Sequence, residues 1–435
     1  MLINFRIANF RSLKDPQELD LRSVYRKDGA ALQVSAIYGA NGSGKSNVLL
    51  ALRFMHDAVT DQSGWNRGGK IHVHPFLLDE EASKSPTSFA AELIIDGIRY
   101  IYGFSVTRDR VIEEWLHSFP KKKKRVLFER DNDEYYFGPS FASARAEVIK
   151  EITPPTGLYI STAAKANDES SRAVFSWFSN RLWFADDEES SRSVQRAETM
   201  KMLRTAEAKA KIEKLLEAAD VGISEARIED FQLEFREESE QGEFDGSFRV
   251  LVEDGKTVVL YRGGKPPELD VYLRTFLEAN QSLTFKHRGK AERHFSLDQE
   301  SRGTQTWFDI SGMIVRALEE GNTLVIDELD TSLHPLLLTQ MIRLFQRGES
   351  NPHGAQLIFT THDASLMGRN RGEELLRRDE IWFTQKDPNT GSTELYPLTD
   401  FKPRDGLNWE KRYLGGSVGG VPYISENLFD EAVSR

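Results

Sequence analysis

Apolar and polar residues alternate through Leu2–Phe10, the pattern of a half-buried strand. A turn and a second strand account for the rest of residues 1–34. A short apolar run at 35–39 leads into a glycine-rich loop. Beyond it, Val48, Leu49, Leu52, Met55 and Val59 recur at helical spacing from Ser46 to about Val59. Residues 88–119 read as consecutive strands with Asp96–Gly97 as a hairpin turn, and 125–138 continues the meander. The run TGLYISTAA (156–164) is expected to add one more apolar strand.

The texture changes at about residue 166. Residues 186–220 are polar and then rich in alanine, glutamate and lysine, which suits a solvated helix. A charged loop is expected at 236–247, followed by a hairpin at 248–264 turning at Asp254–Gly255. After residue 295 the apolar runs NTLVIDEL (322–329) and AQLIFTTHD (355–363) read as buried strands, with a helix over 334–348 between them. No internal repeat is present. The order of elements predicts one α/β core split by a long central insertion.

Composition narrows the field. The 435 residues, 39% hydrophobic, suffice for a sizeable core and for about three domains of ordinary size. Absence of cysteine excludes disulfides and thiolate metal sites and suits a reducing cytoplasm. No apolar run approaches the roughly 18 residues of a membrane span, and the N-terminus lacks the continuous apolar segment of a signal peptide, so a cytoplasmic protein is expected. A formal charge of −11 argues against a broad nucleic-acid binder. The basic run Lys121–Arg125 reads first as a solvated hairpin loop, with a phosphate-backbone contact as the sharper alternative.

The chemistry begins at GANGSGKS, which fits G-x-x-x-x-G-K-[ST] at Gly39, Gly44, Lys45 and Ser46. Glycines let successive backbone N–H groups turn inward onto dense negative charge, and the following helix adds the positive end of its dipole. Gly39, Asn41, Gly42, Gly44, Lys45, Ser46 and Asn47 are therefore the candidate nucleotide contacts, with Lys45 reaching the outer phosphates and Ser46 a ligand of Mg²⁺. Hydrolysis also needs a carboxylate for the metal and a group to orient water. Asp327 and Glu328, at the end of the TLVI strand, fit those two roles; alone they read first as an acidic helix cap, and it is the pairing with the glycine loop that favours the catalytic reading. Asp330 follows, and His362 ends the next strand, within reach of a γ-phosphate. Ser301, Gly303 and Gln305 precede a helix and read either as an anion site or as a plain N-cap.

The order GANGSGKS, SRGTQ, VIDELDTSLHP, FTTHD resembles an ABC-type ATPase head of the SMC, Rad50 and RecF kind, as does the opening FRIANFRSLKD. Weaker likenesses, in HPFLLDEE, WFSNRLWF and YLGGSVGGVPYI, point to the stand-alone bacterial ATPases of phage-defence and abortive-infection systems. The resemblance implies an α/β fold: a P-loop ABC-ATPase head with an N-terminal antiparallel β subdomain and an inserted helical and β subdomain. It implies ATPase lobe I over 1–165, an insertion over 166–290, lobe II over 291–400 and a tail over 401–435. Walker A then spans Gly39–Ser46 and the signature motif Ser301–Gln305. Asp327 is the Walker B metal ligand, Glu328 the catalytic glutamate, Asp330 the start of the D-loop and His362 the switch histidine. ATP and Mg²⁺ are the implied ligands. Two subunits would sandwich ATP head to tail, with Ser301 and Gly303 of one closing on the γ-phosphate held by Lys45 of the other.

Two departures stand out. Arg302 takes the place of a second signature glycine, and Lys165 lies near where a magnesium-sensing glutamine is expected. Lys45 and Asp327 are 282 residues apart, but the helical part of the insertion lacks a sustained heptad, so a long coiled-coil arm is excluded. The 73 residues after His362 carry no acidic nuclease cluster. The expected function is an ATP-assembled sensor that controls a separate effector such as a nuclease in anti-phage defence. The alternatives are a RecF-like ATPase that binds DNA directly and a slow scaffold that holds a toxin.

Overall fold

A computed structural model describes residues 1–26, 31–60, 69–139, 141, 144–186, 188–219, 222–229, 233–237, 248–253, 256–261, 282–289, 293–370, 373–402 and 407–422. Of the loop expected over 236–247, residues 236–237 instead end the strand Leu233–Glu237 and 238–247 lie outside the described residues, as do the turn at Asp254–Gly255 and residues 423–435 of the tail. Packing of the backbone divides the chain into two compact units, Met1–Asp187 with Arg316–Arg435, and Glu188–Val315.

The first unit holds two large sheets and a two-stranded one of Arg369–Asn370 with Glu373–Glu374. Strands β1 (Leu2–Ala8), β2 (Gln17–Asp20), β4 (Thr87–Ile95), β5 (Ile98–Val106), β6 (Val111–Phe119), β7 (Arg125–Asp131) and β8 (Glu134–Phe137) form a seven-stranded antiparallel sheet in the order β2-β1-β4-β5-β6-β7-β8. Asp96 and Gly97, with φ of 49° and 74°, make the tight β4–β5 turn, since only glycine and short polar residues enter that region readily. The second sheet is built on β3 (Val34–Gly39), whose six residues are all buried. Its neighbours are β9 (Leu182–Ala185), β10 (Thr323–Ile326), β11 (Gln356–Thr360), β12 (Ile381–Lys386) and β13 (Thr393–Pro397), in the order β13-β12-β3-β11-β10-β9. All pairings are parallel except that of β13, so the central strands are covered on both faces and read as unbroken apolar runs.

Helix α1 (Lys45–Thr60) leaves the glycine loop and buries Val48, Leu49, Leu52, Met55 and Val59, the positions its periodicity marks. The expected strand at 156–164 is instead helix α2 (Tyr159–Lys165). Short apolar runs do not distinguish strand from buried helix, and here a distant side chain decides. The Glu114 carboxylate, fully buried on β6, accepts from the Tyr159 and Ile160 N–H groups at 2.7 and 3.0 Å, satisfying donors that a helix start leaves open. Tyr102 donates to the same carboxylate at 3.1 Å, and the buried Arg130 guanidinium lies 3.9 Å away. Burial pushes the Glu114 carboxyl up, against the pull of Arg130 and the two helix N–H groups. Lys165 is exposed at the far end of α2. Ser161 of α2 donates to the Val59 carbonyl at 2.7 Å, tying this helix to the end of α1.

The second unit contains helices α3 (Glu189–Met202) and α4 (Ala206–Ala218) and most of α5 (Arg302–Glu320). Two small sheets complete it, one of Ile223–Glu229, Ser282–His287 and His294–Ser296, the other of Leu233–Glu237, Lys256–Tyr261 and Phe248–Glu253.

Replacing Glu114 by alanine leaves Arg130 buried without its carboxylate and uncaps α2. Such a change is expected to lower stability by about 3 kcal/mol or more, read by urea denaturation. Glu114→Gln, which keeps an acceptor, is expected to cost less; equal denaturation midpoints for wild type and Glu114→Ala would refute the role.

Candidate nucleotide site

The glycine loop joins β3 to α1 at the carboxyl end of the parallel sheet, where ligands sit in open α/β folds. Gly42 and Gly44 have φ of 73° and 105°, a conformation other residues reach only with strain. At Gly42 an added Cβ meets nothing within 4 Å, so backbone conformation is what demands glycine there. At Gly44 a Cβ would also lie 2.4 Å from Thr393 Oγ1, and at Gly39 one would lie 2.4 Å from both Ser43 Oγ and Thr384 Oγ1. The loop is thus wedged between neighbours that motif spacing does not reveal. Ser43 Oγ pairs with Thr384 Oγ1 at 2.7 Å, Thr393 donates to the Ser43 carbonyl at 2.8 Å, and Asn47 donates to Ser12 Oγ at 2.7 Å.

Lys45 folds back over its own loop, its Nζ donating to the Gly39 and Ala40 carbonyls at 2.9 and 3.2 Å. Burial lowers the pKa of this ammonium, and the Asp327, Glu328 and Asp330 carboxylates oppose that shift.

Those carboxylates leave the end of β10. Thr360, the last residue of β11, organises them through one hydroxyl. Its Oγ1 donates to Asp327 Oδ1 at 2.5 Å and accepts from the Glu328 N–H at 2.7 Å, while its carbonyl accepts from the Leu329 N–H at 3.0 Å. On the other side the Asp327 N–H donates to the Ala185 carbonyl of β9 at 3.1 Å. Glu328 is held at φ 50°, a strained setting for a residue with a Cβ, of the sort that marks functional turns. The Asp330 carboxylate accepts from the His362 backbone N–H at 3.2 Å, which joins the two strand-end loops. Burial, and then the Lys45 charge, hold the His362 imidazole below its ordinary value, against Asp330, Glu328 and Asp327.

Lys45, Asp327, Glu328, Asp330 and His362 therefore share one electrostatic environment in the first unit. The donors suit a polyphosphate bound with a hard divalent cation. The loop is open at Gly42, oxygen ligands are at hand in Asp327 and the half-buried Ser46, and one ammonium faces three carboxylates. Gly39 and Asn41 lie within this loop and Asn47 directly follows it in α1.

Ser301, Gly303 and Gln305 belong to the second unit. Ser301 is exposed at the start of α5, and its Oγ accepts from the Thr304 N–H at 3.2 Å, so the hydroxyl caps its own helix. Gln305 reaches back to the Glu300 carbonyl at 3.0 Å.

Ser12, Thr384 and Thr393 brace the loop, and Thr360 orders the carboxylates, without belonging to any recognisable spacing. Thr360, inside FTTHD, and Ser12, inside FRIANFRSLKD, lay in stretches the sequence singles out; Thr384 and Thr393 did not.

The family described as "AAA domain, putative AbiEii toxin, Type IV TA system" matches residues 34–368. Similar solved structures include the SMC head domain from Thermotoga maritima, 13% identical with a TM-score of 0.41, over 91% of this chain and 98% of that one. They also include an SmcHead bound to the C-winged helix domain of ScpA, 13% identical with a TM-score of 0.44, over 95% and 99%. A third is an Smc head domain with an extended coiled coil, bound to the C-terminal domain of ScpA, derived from Pyrococcus furiosus, 11% identical with a TM-score of 0.39, over 96% and 98%. No curated protein matches the chain. With its family match running from the glycine-loop strand past His362, the chain belongs to the AAA_21 family.

Proposed function

We propose that the protein binds and hydrolyses ATP, and that ATP joins two copies head to tail. The observation that carries this reading is the gathering of Lys45, Asp327, Glu328, Asp330 and His362 at the ends of β3, β10 and β11. Inward-turned N–H groups of the loop, with Lys45, receive the outer phosphates. Ser46 and Asp327 would hold Mg²⁺, which when bound neutralises charge on the β- and γ-phosphates. Glu328 orients a water for attack on the γ-phosphorus and takes its proton as the bond to the ADP oxygen breaks. His362, kept neutral near pH 7, donates or accepts a single hydrogen bond at the γ-phosphate.

Ser301, exposed, and Gly303, half-buried, both on the second unit, are the groups that would complete a second copy's site. ATP then holds the pair together, and hydrolysis by Glu328 releases it. We place this switch in anti-phage defence as the regulator of a separate effector, on the strength of the toxin named in the family description and of the resemblance in the sequence.

Lys45→Ala is expected to weaken binding of a fluorescent ATP analogue about 30- to 100-fold, and retained affinity would overturn the loop assignment. Glu328→Gln is expected to bind ATP normally, lose about 10²- to 10⁴-fold in turnover and accumulate dimers by light scattering. Unchanged turnover removes Glu328 from catalysis. Thr360→Val should cost about tenfold in affinity with magnesium present and little in EDTA; equal losses in both would deny its role in setting Asp327. A Glu328→Gln protein purified with ATP from its native host should carry a second chain identifiable by mass spectrometry, and its absence would count against a separate effector.

A further inference from the structure

The helix that opens with Ser301 and Arg302 is gripped from the side by α3, and the grip is made of charge. Asp309, two turns into α5, is completely buried. Arg196 of α3 donates to it through Nε and Nη2 at 2.9 and 3.1 Å, and Arg192 Nη2 lies 2.9 Å from Oδ2. The Arg192 side chain is 1% exposed and that of Arg196 23%, so the carboxylate and one guanidinium lie in the interior of this unit while the second guanidinium reaches its edge. Burial pushes the Asp309 carboxyl up, and the two guanidinium groups pull the other way.

One turn on, the helices meet backbone to backbone. A Cβ on Gly312 would lie 2.5 Å from Thr199 Oγ1 and 2.7 Å from Thr199 Cα. The Thr199 hydroxyl accepts from the Gly312 N–H at 3.1 Å and donates to the Asp309 carbonyl at 2.9 Å. At the other end of the grip, Glu189 Oε2 lies 3.8 Å from Arg302 Nη1 and 3.9 Å from Arg192 Nη1. The charge network thus runs from Asp309 to the signature position where arginine replaces glycine.

Well-packed apolar residues stabilise a helix pair at least as well as buried ions do, but they permit sliding. A multidentate carboxylate and a glycine contact admit one register. The chain gives that register a use. Three residues separate β9 from α3 and two separate α5 from β10. The gripped helices are therefore the covalent continuations of the two strands that hold the Asp327 backbone.

We propose that the Arg192–Asp309–Arg196 cluster and the Thr199–Gly312 contact weld α3 and α5 into one lever. Asp309, Arg196 and Gly312 are then positioning residues that couple the Asp327 strand end to the presentation of Ser301 and Gly303. This rests on the reading that those two residues complete a partner's nucleotide site.

The test uses the full chain carrying Glu328→Gln. Dimerisation with ATP is followed by analytical ultracentrifugation, and binding of a fluorescent ATP analogue is measured under monomeric conditions. Adding Asp309→Asn, or Arg196→Ala at the partly exposed arm, is expected to weaken the dimer about tenfold while leaving monomer nucleotide affinity within about twofold. Arg196→Lys should recover part of the loss. If Asp309→Asn fails to melt cooperatively, the Arg196 pair decides. Folded variants that dimerise like their parent, or that lose nucleotide affinity in parallel, overturn the lever alone. A parent that stays monomeric with ATP overturns the sandwich and the lever together.

Discussion

The register of three parallel strands sets everything at the site. Ile37 stands opposite Thr360, and Ile326 opposite Phe359, so β3, β11 and β10 end side by side. The glycine loop, the His362 segment and the acidic turn then leave the sheet at one level. Because side chains alternate faces, a slip of one residue would turn Thr360 away from both carboxylate-bearing residues and dissolve the arrangement. The β12–β3 pairing adds the last wall, since Thr384 stands opposite Gly39 and fills the space a Cβ there would need.

Within that frame the charges are opposed rather than paired. Lys45 is buried among carbonyls of its own loop while three carboxylates bear on it from across the sheet end. Desolvation weakens the ammonium and the acids offset only part of that, so the protein alone matches this group poorly. Such a site is held ready for a ligand that brings both signs, and a metal-bound polyphosphate does.

Much of this was legible in the sequence because it is local. The glycine loop, the α1 periodicity and the carboxylates at the end of TLVI each follow from a handful of adjacent residues. What escaped depends on partners far along the chain. Residues 156–164 became a helix because Glu114, more than forty residues earlier, caps it. The loop's braces, Ser12 and Thr393, stand on opposite flanks of the glycine motif and are joined by a 2.7 Å hydrogen bond. The buried cluster around Asp309 gave no sign either, since Arg192 and Arg196 sit in a stretch whose composition reads as a solvated helix, and charge in such a stretch normally faces water.

The Ser301 hydroxyl can serve two partners at once. Its oxygen accepts the Thr304 N–H with one lone pair, a bond whose removal ordinarily costs a helix about 1 kcal/mol. The same group keeps an O–H to donate, to Thr304 Oγ1 at 2.9 Å or to an acceptor beyond the helix. Turning that proton outward leaves the first turn wound, so the helix start can change its donor partner without losing its cap.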